Sequence, residues 1–264
     1  MKTTRLLEAC LAHPLTRRLD INDPQTTNIR RRLLVEKKFL RLIYDAWYKN
    51  VAAALPPGPD LVLEIGAGAG FMSDYIPGLI TSEMFPCQRI RLVLNATEMP
   101  FANHSLRAIV MTGVLHHIPD VRRFFSDATR CLRPGGSIIM IEPWVSSWSR
   151  LVYGRMHHEP FEPTAHDWGF SPTGPLSGAN GALPWILFER DRAEFAREFP
   201  SWRLQSIEPM MPFCYLLSGG FTTRSLMPGW SFKQWRFVEG LLQPWISSWA
   251  MFARIVLVKR GQEA

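Results

Sequence analysis

A glutamate followed by three glycines on alternate positions, Glu64-x-Gly66-x-Gly68-x-Gly70, is the pattern in this chain best suited to holding a ligand. Glycines let backbone pass close to a bound molecule with no Cβ in the way. They follow Leu61-Val62-Leu63-Glu64-Ile65, a mostly apolar run of the kind buried on both faces of a parallel sheet. A strand running into such a turn is where a doubly wound sheet takes a nucleotide-like cofactor. The dinucleotide pattern Gly-x-Gly-x-x-Gly needs a glycine where Phe71 stands, and the P-loop ending Gly-Lys-Ser/Thr does not follow Gly70. The acid Glu64 instead suits a cationic cofactor without a pyrophosphate. An ordinary βα turn of small residues competes with this reading when the motif is taken alone.

Other residues carry chemistry at a distance. Glu83 ends the short run Leu79-Ile80-Thr81-Ser82-Glu83, where an acid can accept both ribose hydroxyls of a nucleoside. His116 and His117 follow another apolar run, and His157, His158, Glu159, Glu162, His166 and Asp167 fall within one stretch rich in Gly, Pro and aromatics. A general base could be drawn from His157, His158 or His166, and His116 is a further catalytic candidate. The histidines and acids of the later stretch could also be pictured as metal ligands. Their spacing matches no metal template, so no metal is expected.

The elements that must position these groups alternate between strand and helix from residue 61 to 143, which argues for a parallel α/β sheet. After the first two strands comes Ile90 to Phe101, broken by the turn before Pro100, and then a fourth strand from Arg107 to Val114. Leu115-His116-His117-Ile118-Pro119-Asp120 leads into a helix to about Leu132, which Arg133-Pro134-Gly135-Gly136 stops. Ser137 to Pro143 is the fifth strand.

Taken together, Glu-x-Gly-x-Gly-x-Gly, the strand-end acid, Asn95-Ala96-x-x-x-Pro100-Phe101, Leu115-His116-His117-x-x-Asp120 and Leu132-Arg133-Pro134-Gly135-Gly136 resemble the core of class I S-adenosylmethionine-dependent methyltransferases. The flavour is that of the small-molecule group typified by ubiquinone and menaquinone biosynthesis methylases. The likeness covers about a third of the chain. It implies a Rossmann-like, doubly wound, seven-stranded, mostly parallel sheet with helices on both faces, and S-adenosyl-L-methionine as cofactor. By position, Gly66, Ala67, Gly68 and Gly70 would bring backbone against the methionine part, with Glu64 near it, and Glu83 would hold the ribose. Asn95 and Ala96 would face the adenine; Thr112 and Val114 would line the pocket beside the sulfonium. The family usually has Asp where Asn95 and Arg107 stand.

The ends of the chain carry no such signature and should set the substrate. Residues 1–56 read as an N-terminal helical cap, with one amphipathic helix from Asn28 to Leu55 ended by Pro56-Pro57-Gly58, and with Tyr44 or Tyr48 able to reach the pocket. The cofactor-binding core is 57–143, a substrate lid loop spans 144–187, and 188–264 hold a helix (Phe188 to Phe199) and the last two strands. Those strands, Trp202 to Glu208 and Met251 to Lys259, are separated by an apolar insertion, 210–250, expected at the sheet edge. All of this reads as one domain of 264 residues.

The net charge is +7, with basic clusters at Arg17-Arg18, Arg30-Arg31-Arg32 with Lys37-Lys38, and Arg122-Arg123. A basic face could meet nucleic acid, anionic lipid or a phosphorylated substrate. No nucleic-acid-binding module is present in the pattern, so nucleic acid ranks below the small-molecule and lipid readings. Four separated cysteines show no zinc or disulfide spacing and fit a reducing cytosol. Neither a signal peptide nor a spanning run of apolar residues is expected. Met and Trp in the insertion beside Arg224, Lys233 and Arg236 suit a greasy acceptor channel or a peripheral membrane contact, with homodimerisation the competitor. The expected activity is therefore methyl transfer to a small, hydrophobic or lipid-linked acceptor. The rival classes are a nicotinamide-dependent oxidoreductase, disfavoured by Phe71, and a non-catalytic scaffold that binds a partner or membrane through the insertion.

Overall fold

The computed structural model describes residues 13–16, 23–156, 159–171 and 178–261. Seven strands form one sheet: β1 (Leu61–Ile65), β2 (Ile80–Glu83), β3 (Leu92–Val93), β4 (Leu106–Thr112), β5 (Leu132–Pro143), β6 (Trp202–Met210) and β7 (Phe252–Lys259). Their order in space is β3-β2-β1-β4-β5-β7-β6. β1 to β5 run parallel, while β7 is antiparallel to both of its neighbours. The order turns back between β1 and β4, so a crevice opens at the carboxyl ends of these two strands. This is the mostly parallel seven-stranded sheet expected from the motifs.

Alternation along the strands divides the core in two. Leu63, Ile65, Ile109, Met111, Ile138 and Met140 face one side, where the helix Val121–Cys131 packs Phe124, Phe125 and Ala128 onto them. That helix begins where Asp120 accepts from the Arg123 N–H at 2.9 Å, and its buried residues recur at helical spacing. Each fully buried Phe contributes on the order of 2–3 kcal/mol by removing apolar area from water. Val62, Ala108, Val110, Ile139 and Ile141 face the other side, beneath the helix Lys38–Ala53 with its buried Phe39, Leu40, Ile43 and Trp47.

Several elements depart from the sequence reading, each for a physical reason. The expected single helix Asn28–Leu55 is two helices, Pro24–Glu36 and Lys38–Ala53, broken at Lys37. The Lys37 ammonium turns inward there, donating to the carbonyls of Gly220 and, at 2.8 Å, Thr223. Desolvation pushes its pKa down to about 8. β3 is only two residues long, because the chain leaves the sheet for a turn closed by the Asn95–Glu98 bridge. Among the described residues the β1–β2 connection holds one short 3-10 turn, Met72–Asp74, and the β2–β3 connection holds no helix. The Lys38–Ala53 helix therefore covers the face those connections leave bare.

The stretch 144–187 is less irregular than expected, since it contains the helix Ser147–Met156. The next helical run also starts earlier than Phe188, at Leu183, and passes through a π turn (Ile186–Arg190) before the helix Arg192–Glu198. The apolar insertion folds as short helices at Cys214–Ser218, Phe232–Leu241 and Ile246–Trp249. It does not stay at the sheet edge. Its first helix crosses back over the sheet onto Lys38–Ala53, where Tyr215 stacks on Trp47 with centroids 5.8 Å apart. Arg107, where the family usually has Asp, ties down the chain ahead of β1 by donating to the carbonyls of Asp60 (2.9 Å) and Pro56 (2.8 Å).

Candidate active site

A cavity of about 610 Å³ opens at the carboxyl ends of β1 and β4, roofed by the N-terminal helices and the returning insertion. The glycine turn forms its floor. Gly68 has φ +49°, and a Cβ there would sit 3.4 Å from the Glu83 carboxylate. A Cβ on Gly70 would meet the Tyr48 hydroxyl at 2.5 Å and the Ala67 carbonyl at 2.8 Å. Only glycine fits the second position without displacing a tyrosine that walls the cavity. Ala67 donates its N–H to the Ser82 carbonyl at 2.9 Å, fixing the turn against β2.

Two buried carboxylates meet at this floor. Burial, reinforced by the charge of Glu83 and opposed by Arg31, pushes Glu64 up to about 8. Glu83 is likewise raised by burial, against the stabilising N–H groups of Met84 (2.9 Å) and Gly68. Two acids that resist ionising side by side favour a ligand that brings positive charge and hydroxyl donors. Arg31 reaches over the turn to the carbonyls of Gly68 (3.4 Å) and Gly70 (3.3 Å). Of the predicted basic clusters, Arg30 lines the cavity over the Phe221 ring at 5.6 Å and Lys37 is buried, whereas Arg32, Lys38, Arg122 and Arg123 are exposed and Arg17 and Arg18 lie outside the described residues.

The remaining predicted cofactor residues also line the cavity. Ala96 is buried, whereas Asn95 is exposed at the rim. The Asn95 side-chain oxygen accepts from both the N–H and the hydroxyl of Thr97 at 3.0 Å. That oxygen is thus committed to a local turn, which leaves the amide nitrogen as the free group for a base edge. Val114 packs against the turn, since a Cβ on Gly66 would lie 2.5 Å from its methyl. Thr112 Oγ1 and Trp47 Nε1 are buried polar atoms with no hydrogen-bond partner, and both residues line this cavity. A buried donor without a partner costs about 1–3 kcal/mol.

The predicted histidines part company. His116 is buried and its Nδ1 lies 2.6 Å from Glu142 Oε2, while Glu142 Oε1 accepts the N–H groups of Val114 and Leu115, both at 2.8 Å. Desolvation works against its proton but the Glu142 hydrogen bond prevails, raising His116 to about 9. It therefore holds a proton at neutral pH instead of waiting to take one. His117 is pushed down to about 4 by burial and by the charge of His116. His166 is exposed and does not line the cavity. His157, with His158, lies outside the described residues.

Some participants escaped the sequence reading. Glu159 was legible only as a loop acid, yet it stands 3.7 Å from His116 Nε2. Asn180 holds this loop: its N–H donates to the His116 carbonyl (3.0 Å), and its side-chain amide accepts from the Glu162 backbone N–H (2.9 Å) and donates to the Glu162 carbonyl (3.1 Å). The Asn180-Gly181 pair is a turn signal in the sequence, but its partner 64 positions upstream is not written there. Tyr153 and Tyr215 are further cavity walls that hydrophobic pattern alone assigns to the core.

A glycine turn, a strand-end acid and a crevice at the switch point define a nucleoside-cofactor site of the doubly wound α/β class. Residues 63–140, from β1 into β5, match the family described as methyltransferase domain. The match is confined to this central segment of the chain. The demethylmenaquinone methyltransferase of Tropheryma whipplei is 26% identical over 121 residues, covering 39% of this chain and 51% of that protein. The arsenite methyltransferase of Halobacterium salinarum is 30% identical over 108 residues, covering 33% of this chain and 27% of that one. The chain thus spans about half the length of the first of these relatives. A crystal structure of an S-adenosylmethionine-dependent methyltransferase from Thermotoga maritima covers 88% of this chain and 99% of its own, with TM-score 0.52 at 15% identity. At that identity the likeness speaks for the fold.

Proposed function

We propose that the chain transfers a methyl group from S-adenosylmethionine to a small, hydrophobic or lipid-linked acceptor by in-line displacement. The observation that carries this reading is the pair of buried carboxylates, Glu64 and Glu83, at a glycine turn inside one cavity. S-adenosylmethionine supplies a cationic centre and an already electrophilic methyl. Glu64 would answer the positive charge of the methionine part, Glu83 the ribose hydroxyls, and the Asn95 amide the adenine edge. The protein's own work is to align the acceptor and exclude water, which the aromatic roof of Tyr44, Trp47, Tyr215 and Phe221 supports.

The same roof favours a greasy acceptor, and a quinol like that implied by the name of the Tropheryma relative is a natural first trial. Trp230, Phe237, Leu241 and Trp245 stand exposed on the outer surface of the insertion. Such a patch beside Lys233 and Arg236 supports peripheral contact with a membrane holding the acceptor. No helix among the described residues is long and apolar enough to cross a membrane.

Calorimetric titration with S-adenosylmethionine and S-adenosylhomocysteine, with NAD as control, tests the donor side. Micromolar binding of the sulfur nucleosides alone is the expected outcome. Binding of NAD alone, or of none of the three, would shift the reading to an oxidoreductase or a scaffold.

A further inference from the structure

Beside the carboxylate pair, the cavity holds three donor atoms for which methyl transfer as derived above has no use. One ligand atom from each of His116, His117 and Glu159 lies within 4.8 Å of the other two. Glu159 is 3.7 Å from the first ring and 3.9 Å from the second. The far side of each ring is already engaged. His116 Nδ1 meets Glu142 at 2.6 Å, and His117 Nδ1 meets the Gly178 carbonyl at 3.3 Å. A carbonyl oxygen can only accept, and Glu142 already takes two backbone N–H groups, so both Nδ1 atoms are the proton-bearing ones. That leaves Nε2 of both rings turned towards Glu159, and an ion bound there takes the place of the proton that His116 carries at neutral pH.

This is how proteins prepare imidazole for a metal: a carboxylate or carbonyl behind the ring fixes its tautomer and direction. We propose that His116, His117 and Glu159 bind a divalent transition ion in this cavity, with its remaining coordination positions open towards the acceptor space. Two imidazoles and one carboxylate form a borderline donor set, suited to zinc, iron(II) or manganese(II) rather than to calcium or magnesium. Donors about 2.1 Å from a tetrahedral ion stand roughly 3.4 Å apart, so the Glu159 contacts, which run through different carboxylate oxygens, need to close by a few tenths of an ångström as the side chains turn onto the ion. The three residues come from the end of β4 and from the loop that Asn180 anchors to the His116 backbone. That is why spacing along the sequence showed no metal pattern. The ion site stands apart from the methyl-transfer reading; only its use, holding an acceptor through an oxygen atom, rests on that reading.

The test uses tag-free full-length protein, stripped with a chelator and titrated with zinc and, without air, iron(II). Metal content is measured by mass spectrometry, and cobalt(II) serves as an absorbing probe. A single equivalent should bind, with visible cobalt bands of mixed nitrogen and oxygen coordination. Glu159→Gln and His117→Ala should each weaken binding at least about tenfold, while melting in chelator shows that both variants remain folded. His166→Ala, at an exposed position, should titrate like the parent. Absence of stoichiometric binding, or binding that ignores both cavity substitutions, overturns the proposal. S-adenosylmethionine binding is followed in parallel with chelator present. Donor binding without any metal uptake sinks the ion site alone, and metal uptake without donor binding sinks the methyl-transfer reading alone.

Discussion

Glu64 is the residue on which the site's electrostatics turn. Its folded pKa, about 8, lies above the ordinary 4.5, so the folded state prefers the protonated acid. Stability from this group is fully present below about pH 4.5 and is lost as pH rises through 8. The ligand-free protein should therefore melt at progressively lower temperature from pH 5 to 8, and Glu64→Gln should flatten that slope. An unchanged slope in the variant would remove Glu64 as its source. Cationic donor binding should run the other way and tighten with pH over the same range, because it favours the carboxylate. At Glu83 the loss is of hydrogen bonds to a charged acceptor, worth about 1.5–3 kcal/mol. Glu83→Ala should thus weaken donor binding roughly 10- to 100-fold in calorimetry without unfolding the chain. Gly68→Arg, which forces a side chain onto a backbone at φ +49° beside Glu83, should abolish binding. If both variants bind like the parent, the cofactor assignment is wrong.

At the scale of elements, the Lys37 break joins the N-terminal helices to the insertion. Its ammonium serves the carbonyls of Gly220 and Thr223, and Lys37→Ala would strip both of that donor. A destabilisation of about 1–3 kcal/mol follows, with faster amide exchange at residues 214–223. Normal exchange there would show that the roof is held by its aromatic contacts instead. This break also marks where the sequence stops being legible. Apolar spacing continues across it, so one helix was the natural reading, and a partner 183 positions away decided otherwise. The strands fared better: β1, β6 and β7 stand within a residue or two of their expected ends because their apolar runs are bounded by Gly, Pro or charge. β3 did not, since its run ends in a turn whose side-chain bonds, Asn95 to Thr97, outcompete the ladder.

The whole molecule brings together what lies far apart in the chain. The glycine turn and Glu83 were legible from local pattern. The His116, His117 and Glu159 group was not, because it depends on a loop closing over β4. Charge was misleading for a related reason: composition counts Arg30, Arg31 and Lys37 as surface, whereas the fold half-buries the first two and buries the third. Exposed Trp230 and Phe237 remain on the outside. Replacing both with Ser should leave the melting temperature nearly unchanged and reduce binding to anionic lipid vesicles. Unchanged vesicle binding together with loss of a dimer would assign this surface to self-association.

The most direct trial of methyl transfer follows a labelled methyl group. The protein is incubated with methyl-labelled S-adenosylmethionine and a detergent-dispersed extract of quinols and lipids, and label is counted in the organic phase, with Gly68→Arg as control. The site described here predicts label in the organic phase with the parent protein and none with the variant. Equal counts from both would contradict it.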